Sequence, residues 1–267
     1  MNEYPKHLID SHFHLLSMNR KGLNTSDILL AMQRVGMQGI DVGLDAKDLA
    51  YRSELLKEYP FIRLASGIGP WGTDESEGTL ENQIRELELQ LAKYEVVAIG
   101  EIGLDNYHTY GGSEKQQRLL EAQLDIAENL NKPVIFHNRE ADEQFTTLLN
   151  RRNFSTRGIM HCFQGSKELA FLAVDKGFYL SFAGPLTYKA NQQMQYIFSH
   201  IPVEHILLET DSPYLSPVPV RGKPNSPLNM EHIYRVGAFL RGLELDAFID
   251  QISKNYNQFL GLQQLCD

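Results

Sequence analysis

His7-Leu8-Ile9-Asp10-Ser11-His12-Phe13-His14 is a short apolar run that ends in side chains able to bind a metal. The pattern recurs down the chain. Val96-Val97-Ala98-Ile99 leads to Glu101, Val134-Ile135-Phe136 to His137, Gly158-Ile159-Met160 to His161, and Ile206-Leu207-Leu208 to Asp211. If these runs are parallel strands closed into one barrel, ligands remote in sequence meet at one mouth. Such a meeting is the outline of a two-metal hydrolase site.

Working outward, apolar strand candidates fall at 7–12, 39–44, 61–68, 96–100, 133–137, 158–162, 178–182 and 206–209. Between them lie segments with helical period. The first carries Ile28, Leu29, Met32 and Val35, the second Leu49, Leu55, Leu56 and Tyr59, and the third Leu80, Ile84, Leu87 and Leu91. A longer helix opens at Ser113-Glu114-Lys115-Gln116, which has capping-box spacing, and turns Leu119, Leu120, Leu124, Ala127 and Leu130 inward. Further helices fit 141–149, 166–176, 191–199, 230–240 and 246–260, while the proline-rich 212–227 reads as a long loop. This alternation makes the chain α/β, and by itself fits either a closed barrel or an open doubly wound sheet. The ligands decide. An open sheet builds its site at one switch point served by few strands, whereas here the first, fourth, fifth, sixth and eighth strands each end in a ligand. The expected fold is a TIM (β/α)8 barrel, with residues 1–267 forming one domain.

Composition agrees with an enzyme of that size. Of the 267 residues, 42% are hydrophobic and 22% charged, as in a soluble protein with a substantial core. No apolar run reaches membrane-spanning length and the first residues do not resemble a signal peptide, so the expected location is the cytoplasm, with no membrane contact. The only two cysteines, Cys162 and Cys266, read as small buried hydrophobes, Cys162 pointing away from the site by strand parity. A formal charge of −9 argues against a general grip on nucleic acid but not against a phosphate substrate, because bound cations invert the local field.

His12 and His14, at i and i+2, lie on one face of a strand, so both imidazoles can reach one ion. Asp10 shares that face and can accept a proton from a ligating ring. Glu101 sits among glycines in Gly100-Glu101-Ile102-Gly103, where the strand is expected to turn; a carboxylate can bridge two cations, which an imidazole cannot. Glu209, with the same parity as Asp211, is a further acceptor. His7, His108, His200, His205 and His232 have no such placement and are assigned to surface or packing.

At these residues the chain resembles the TatD family of metal-dependent hydrolases and DNases, within the amidohydrolase-like barrel superfamily. The resemblance covers nearly the whole length: D-S-H-F-H at 10–14, G-E-I-G-L-D at 100–105, K-P-V-I-F-H-N-R at 132–139, H-C-F at 161–163, G-F-Y-L-S-F-A-G at 177–184, E-T-D-S-P-Y-L at 209–215 and R-G-K-P-N-S-P at 221–227. It implies one metal held by His12, His14, Glu101 and Asp211, with Glu101 bridging to a second held by His137 and His161. It also implies hydrolysis of phosphodiester bonds, with removal of nucleotides from DNA ends, in the cytoplasm. Two positions depart from the family pattern. Gly69 stands where many members have the histidine of G-x-H-P, and Ser226 where many have the glutamate of N-E-P.

The expected chemistry follows. Two divalent cations roughly 3.5–4 Å apart acidify a water and neutralise charge that builds on the phosphoryl oxygens. Asp211 takes the water's proton or orients it, and Arg139, Arg221 and Lys223 are candidates for phosphate contact. Mixed imidazole and carboxylate ligands suit Zn, Mn, Co or Ni, with Mg less well matched. The expected substrate is the end of a single DNA strand, and no obligate protein partner is implied. The alternatives are an amidohydrolase-type enzyme, or a hydrolase acting on a small molecule or a charged tRNA, on the same barrel.

Overall fold

The computed structural model describes residues 4–108 and 110–262. Each apolar run is a strand, and all pair in parallel in sequence order. The chain runs β1 (Ile9–Phe13), α1 (Leu15–Arg20), α2 (Thr25–Arg34), β2 (Gln38–Val42), α3 (Leu49–Leu56), β3 (Ile62–Ser66), α4 (Leu80–Leu91) and β4 (Ala98–Asp105). It continues through α5 (Ser113–Asn129), β5 (Val134–Arg139), α6 (Asp142–Arg151), β6 (Gly158–Met160), α7 (Lys167–Asp175), β7 (Tyr179–Phe182), α8 (Gln192–His200), β8 (Ile206–Leu208), α9 (Met230–Arg241) and α10 (Leu245–Phe259). Residues 209–226 are the long loop that their prolines require.

The sheet curls until its edges meet just past β8. There the Asp211 N–H donates to the His12 carbonyl at 3.0 Å, and the His14 N–H to the Ser212 carbonyl at 2.8 Å. Ser11 and Ser181, on strands that are not neighbours, touch through their hydroxyls at 2.9 Å, which only a closed interior permits. Outside the strands, Phe136 packs against Phe145, Phe154 and Phe178. The last two helices seal the opposite side: the Tyr234 hydroxyl meets the backbone of Ile9, and the Asn255 amide donates to the carbonyls of Val203 and Ile206.

Three local expectations are corrected, and one helix is added. β4 does not turn at Glu101 but runs on to Asp105, with a register shift between Gly100 and Ile102. The glycines serve close approach instead: a Cβ on Gly100 would lie 2.6 Å from the Ile135 Cβ, and one on Gly103 only 1.9 Å from the His137 carbonyl oxygen. Ser113 does not cap α5, whose N-cap is Gly112, because Gln116 is drawn away to bind the end of β4. Leu130 is not turned inward but is 45% exposed, lying at the C-cap where the helical stripe has ended. The short α1 has no counterpart in the periodicity, since six residues are too few to show one. Cys266 lies outside the described residues.

Candidate metal centre

The six side chains picked out in the sequence converge at the carboxyl ends of the strands, where a (β/α)8 barrel builds its site. Glu101 is at the middle. Its Oε2 lies 3.5 Å from His12 Nε2 and 3.6 Å from His14 Nε2, while its Oε1 lies 2.5 Å from His137 Nδ1 and 2.9 Å from His161 Nε2. One oxygen thus faces each histidine pair. Asp211 joins the first pair, with Oδ1 3.4 Å from His14 Nε2. Two sets of donor atoms, His12 with His14 and Asp211, and Glu101 with His137 and His161, each lie within 4.8 Å of one another. This spacing and donor chemistry fit divalent cations. The nitrogens turned to Glu101 are His12 Nε2 and His137 Nδ1; the opposite nitrogens, His12 Nδ1 and His137 Nε2, and Glu209 Oε2 are buried with no hydrogen-bond partner among the described residues.

Neighbouring groups set which ring nitrogen faces inward. His14 Nδ1 is 3.0 Å from the Val42 carbonyl, which can only accept, so Nδ1 carries the proton and Nε2 is left for the cluster. His161 Nδ1 is likewise 3.2 Å from Glu209 Oε1, bearing out the expectation for Glu209, which also receives the Cys162 N–H at 2.7 Å. Asp10 behaves otherwise. It accepts from the Thr210 N–H, the Thr210 hydroxyl and the His12 N–H, and touches no ring, because the backbone donors at the barrel seam reach it first.

The electrostatics of the cluster favour protons on three of its imidazoles. Burial opposes charge on His14, but the carboxylates of Asp211 and Glu101 outweigh it and push its pKa up to about 9. Burial likewise opposes charge on His161 and His137, and Glu101 raises both. The same pairing holds Glu101 well below the usual carboxylate range, although burial alone would raise it. His12 is lowered, first by burial and then by the nearby His161. A cation would have to displace these protons.

Loops after the strands wall a cavity of about 590 Å³ over the cluster. Arg139 lines it, with its guanidinium 4.3 Å from the centre of the Tyr107 ring. Arg221 and Lys223 are exposed on the loop after β8 and are not among its lining residues, Arg221 lying over Tyr188 at 4.2 Å. Arg20, Trp71, His108 and Tyr214 line it unannounced by the sequence reading. Periodicity cannot find such residues, because they sit on loops or at a helix end. Only Gly69 left a trace. A Cβ there would lie 2.2 Å from the Trp71 ring, so the absence of a side chain at 69 makes room for the indole. That indole donates to the Leu44 carbonyl at 2.6 Å and stands edge-on to His137 at 5.8 Å.

One further assignment changes. Cys162 does not point away from the site: it lines a side cavity with His137, His161 and Asp211, because β6 ends at Met160 and a φ of 43° breaks strand parity. His108 is on the surface as expected, its side chain 47% exposed, with Nδ1 2.7 Å from Asp105 Oδ2 at the cavity wall.

Residues 9–261 match the family model described as TatD related DNase. Among curated proteins, the chain is 32% identical over 253 residues to the uncharacterized metal-dependent hydrolase YabD of Bacillus subtilis, covering 93% of this chain and 96% of that one. It is 31% identical over 254 residues to a protein of Escherichia fergusonii named 3'-5' ssDNA/RNA exonuclease TatD, covering 92% and 96%. Among solved structures, the TatD homologue YJJV of Escherichia coli superposes with a TM-score of 0.87 at 27% identity, over 96% of this chain and 98% of that one.

Proposed function

This chain belongs to the TatD family of metal-dependent hydrolases, and we propose that within it the chain is a nuclease that removes nucleotides from the ends of single-stranded DNA. The observation that carries the reading is the two-sided environment of Glu101, one oxygen toward each histidine pair. In this reading His12, His14, Glu101 and Asp211 hold one divalent cation, and Glu101, His137 and His161 hold a second. Zn, Mn, Co and Ni suit these ligands better than Mg. Such a pair supplies an acidified water and positive charge beside the phosphoryl oxygens.

The side chains do the rest. Asp211, at the rim of the cluster beside His14, accepts the proton of the attacking water. Arg139 holds the phosphate nearest the cluster, and Arg221 and Lys223, exposed farther out, meet phosphates along the strand. Trp71 and Tyr214 offer aromatic surfaces on which bases can stack. A cavity of about 590 Å³ with Asp45 and Glu77 on its wall favours a single-stranded end over duplex, whose phosphates are dense. No helix among the described residues is long and apolar enough to cross a membrane, and the same reading puts the reaction in the cytoplasm.

The test is an assay on end-labelled single strands and on the matching duplex, across several divalent metals, with and without chelator. The expected result is stepwise shortening of the single strand, slower on duplex and abolished by chelator. Hydrolysis of an amide or lactone with no chelator-sensitive shortening of any strand would move the protein to the amidohydrolase-type alternative.

A further inference from the structure

His108 lies on the loop between β4 and α5, seven residues beyond Glu101, and nothing in the pattern of metal ligands includes it. Its placement is nonetheless built. The Asp105 carboxylate receives the ring Nδ1–H through Oδ2 at 2.7 Å, and the backbone N–H groups of Tyr107 and His108 through Oδ1 at 2.9 and 2.8 Å. Asp105 is itself fixed at both backbone atoms by Gln116, which accepts the Asp105 N–H at 2.8 Å and donates to its carbonyl at 2.9 Å. Asp105 Oδ2 is also 3.6 Å from His137 Nε2, so a single carboxylate separates the His108 ring from the cluster. The rings of Tyr107 and Tyr110 flank the imidazole at 4.9 and 5.2 Å. With Nδ1 committed to Asp105, Nε2 is the nitrogen left for a ligand in the cavity that His108 lines together with Glu101 and Asp211.

An imidazole oriented by a carboxylate, with its second nitrogen open to a reacting group, is an arrangement for proton transfer. We propose that His108 is the proton donor to the leaving oxygen in phosphodiester hydrolysis. The inference rests on the nuclease reading above, and it assigns the second of the two protons that the reaction moves. The bond from the water oxygen to phosphorus forms as the water's proton passes to Asp211. The bond from phosphorus to the sugar oxygen breaks, and that oxygen keeps the electron pair and takes the proton of His108 Nε2, leaving as an alcohol. His108 is left neutral and Asp211 protonated, and exchange with solvent restores both. Asp105 keeps the ring in the tautomer and orientation that the transfer needs; it is a positioning residue.

Leaving-group chemistry tests the assignment. A sugar alkoxide is a strong base that gains much from protonation, whereas a nitrophenolate departs without it. The full-length, metal-loaded protein and its His108→Ala and His108→Gln variants are compared on a dinucleotide and on a nucleoside nitrophenyl phosphodiester, with the metal content of each protein measured in parallel. The expected result is a loss of roughly 10²-fold or more in kcat on the dinucleotide for both variants, a much smaller loss on the nitrophenyl ester, and wild-type metal content. Equal losses on the two esters, no loss on either, or rescue of dinucleotide turnover by glutamine, which can still donate to Asp105, would overturn the proposal. A wild-type protein that cleaves neither ester is a different result: it removes the nuclease reading, and with it the leaving group that His108 serves.

Discussion

At Asp211 the backbone and the proposed chemistry can be separated. Its φ of 54° is a left-handed conformation that asparagine adopts at least as readily as aspartate, so Asp211→Asn keeps the loop and one ligand oxygen while removing the proton acceptor. Turnover is expected to fall by roughly 10²–10⁴ with substrate affinity little changed. Steady-state kinetics on a single strand checks this, and near-normal kcat would take Asp211 out of the proton transfer. Gly69 makes a second residue-scale case. Gly69→Ala would drive a methyl group into the Trp71 ring and push the indole off the Leu44 carbonyl, an overpacking that costs about 1–3 kcal/mol. Trp71 is the only tryptophan of the chain, so its emission reports the displacement directly. An unchanged spectrum and melting temperature would mean that the ring is not held there.

Among elements, β2 and α3 share a cluster of buried charge. Arg52 on α3 is 1% exposed and reaches Asp41 at 3.1 Å, Asp48 at 2.8 Å and the Ala65 carbonyl at 2.9 Å. Asp41 in turn receives the Leu15 N–H at 2.8 Å, and the next residue, Val42, accepts from His14. The cluster therefore anchors the strand end that orients a ligand. Arg52→Met would leave two buried carboxylates unpaired, with an expected loss of about 3–5 kcal/mol. Denaturant titration measures it, and a loss below about 1 kcal/mol would mean that the carboxylates find other partners. Elements were legible in the sequence to different degrees for physical reasons. Strands buried on both faces read as continuous apolar runs, so β5 and β8 stood out. The course of β4 past Glu101 did not, because glycines that mark a turn in isolation here serve contact with β5. Gln116 carried a capping signal but answered to Asp105, a partner that sequence neighbours cannot reveal.

For the whole molecule, barrel closure and assembly of the site are one event. The backbone bonds that join β1 to the segment after β8 are made by His12, His14, Asp211 and Ser212, three of which belong to the proposed ligand set. The ligands could be read from the sequence because a barrel brings all its strand ends to one mouth. Trp71, His108 and Arg20 could not, because residues on loops or at the end of a six-residue helix carry no period. We propose that residues 1–267 form one domain around this core. Coupling between protons and metal then gives a pH signature. His14 rises from an ordinary 6.5 to about 9 on folding and Asp10 from 3.8 to about 8, in each case because the folded state binds the proton more tightly. Such stability is fully present below the unfolded pKa and is lost as pH rises through the folded one. His137 and His161 act in the same direction and His12 in the opposite one. The melting temperature of the metal-free protein is therefore expected to fall between pH 6.5 and 9, and that of the metal-loaded protein to fall less, since the cation replaces the protons. Parallel melting curves decide the point; a metal-free protein that gains stability over that window would reverse the sign.

The central claim, that Glu101 joins two cation sites, is tested most directly by counting metal per chain in the saturated wild type, in Glu101→Gln and in the His137→Ala/His161→Ala double variant. The account predicts about two per chain in the wild type, about one in the double variant, and the loss of at least one in Glu101→Gln. A wild type that never exceeds one cation, or a count that Glu101→Gln leaves unchanged, would contradict it.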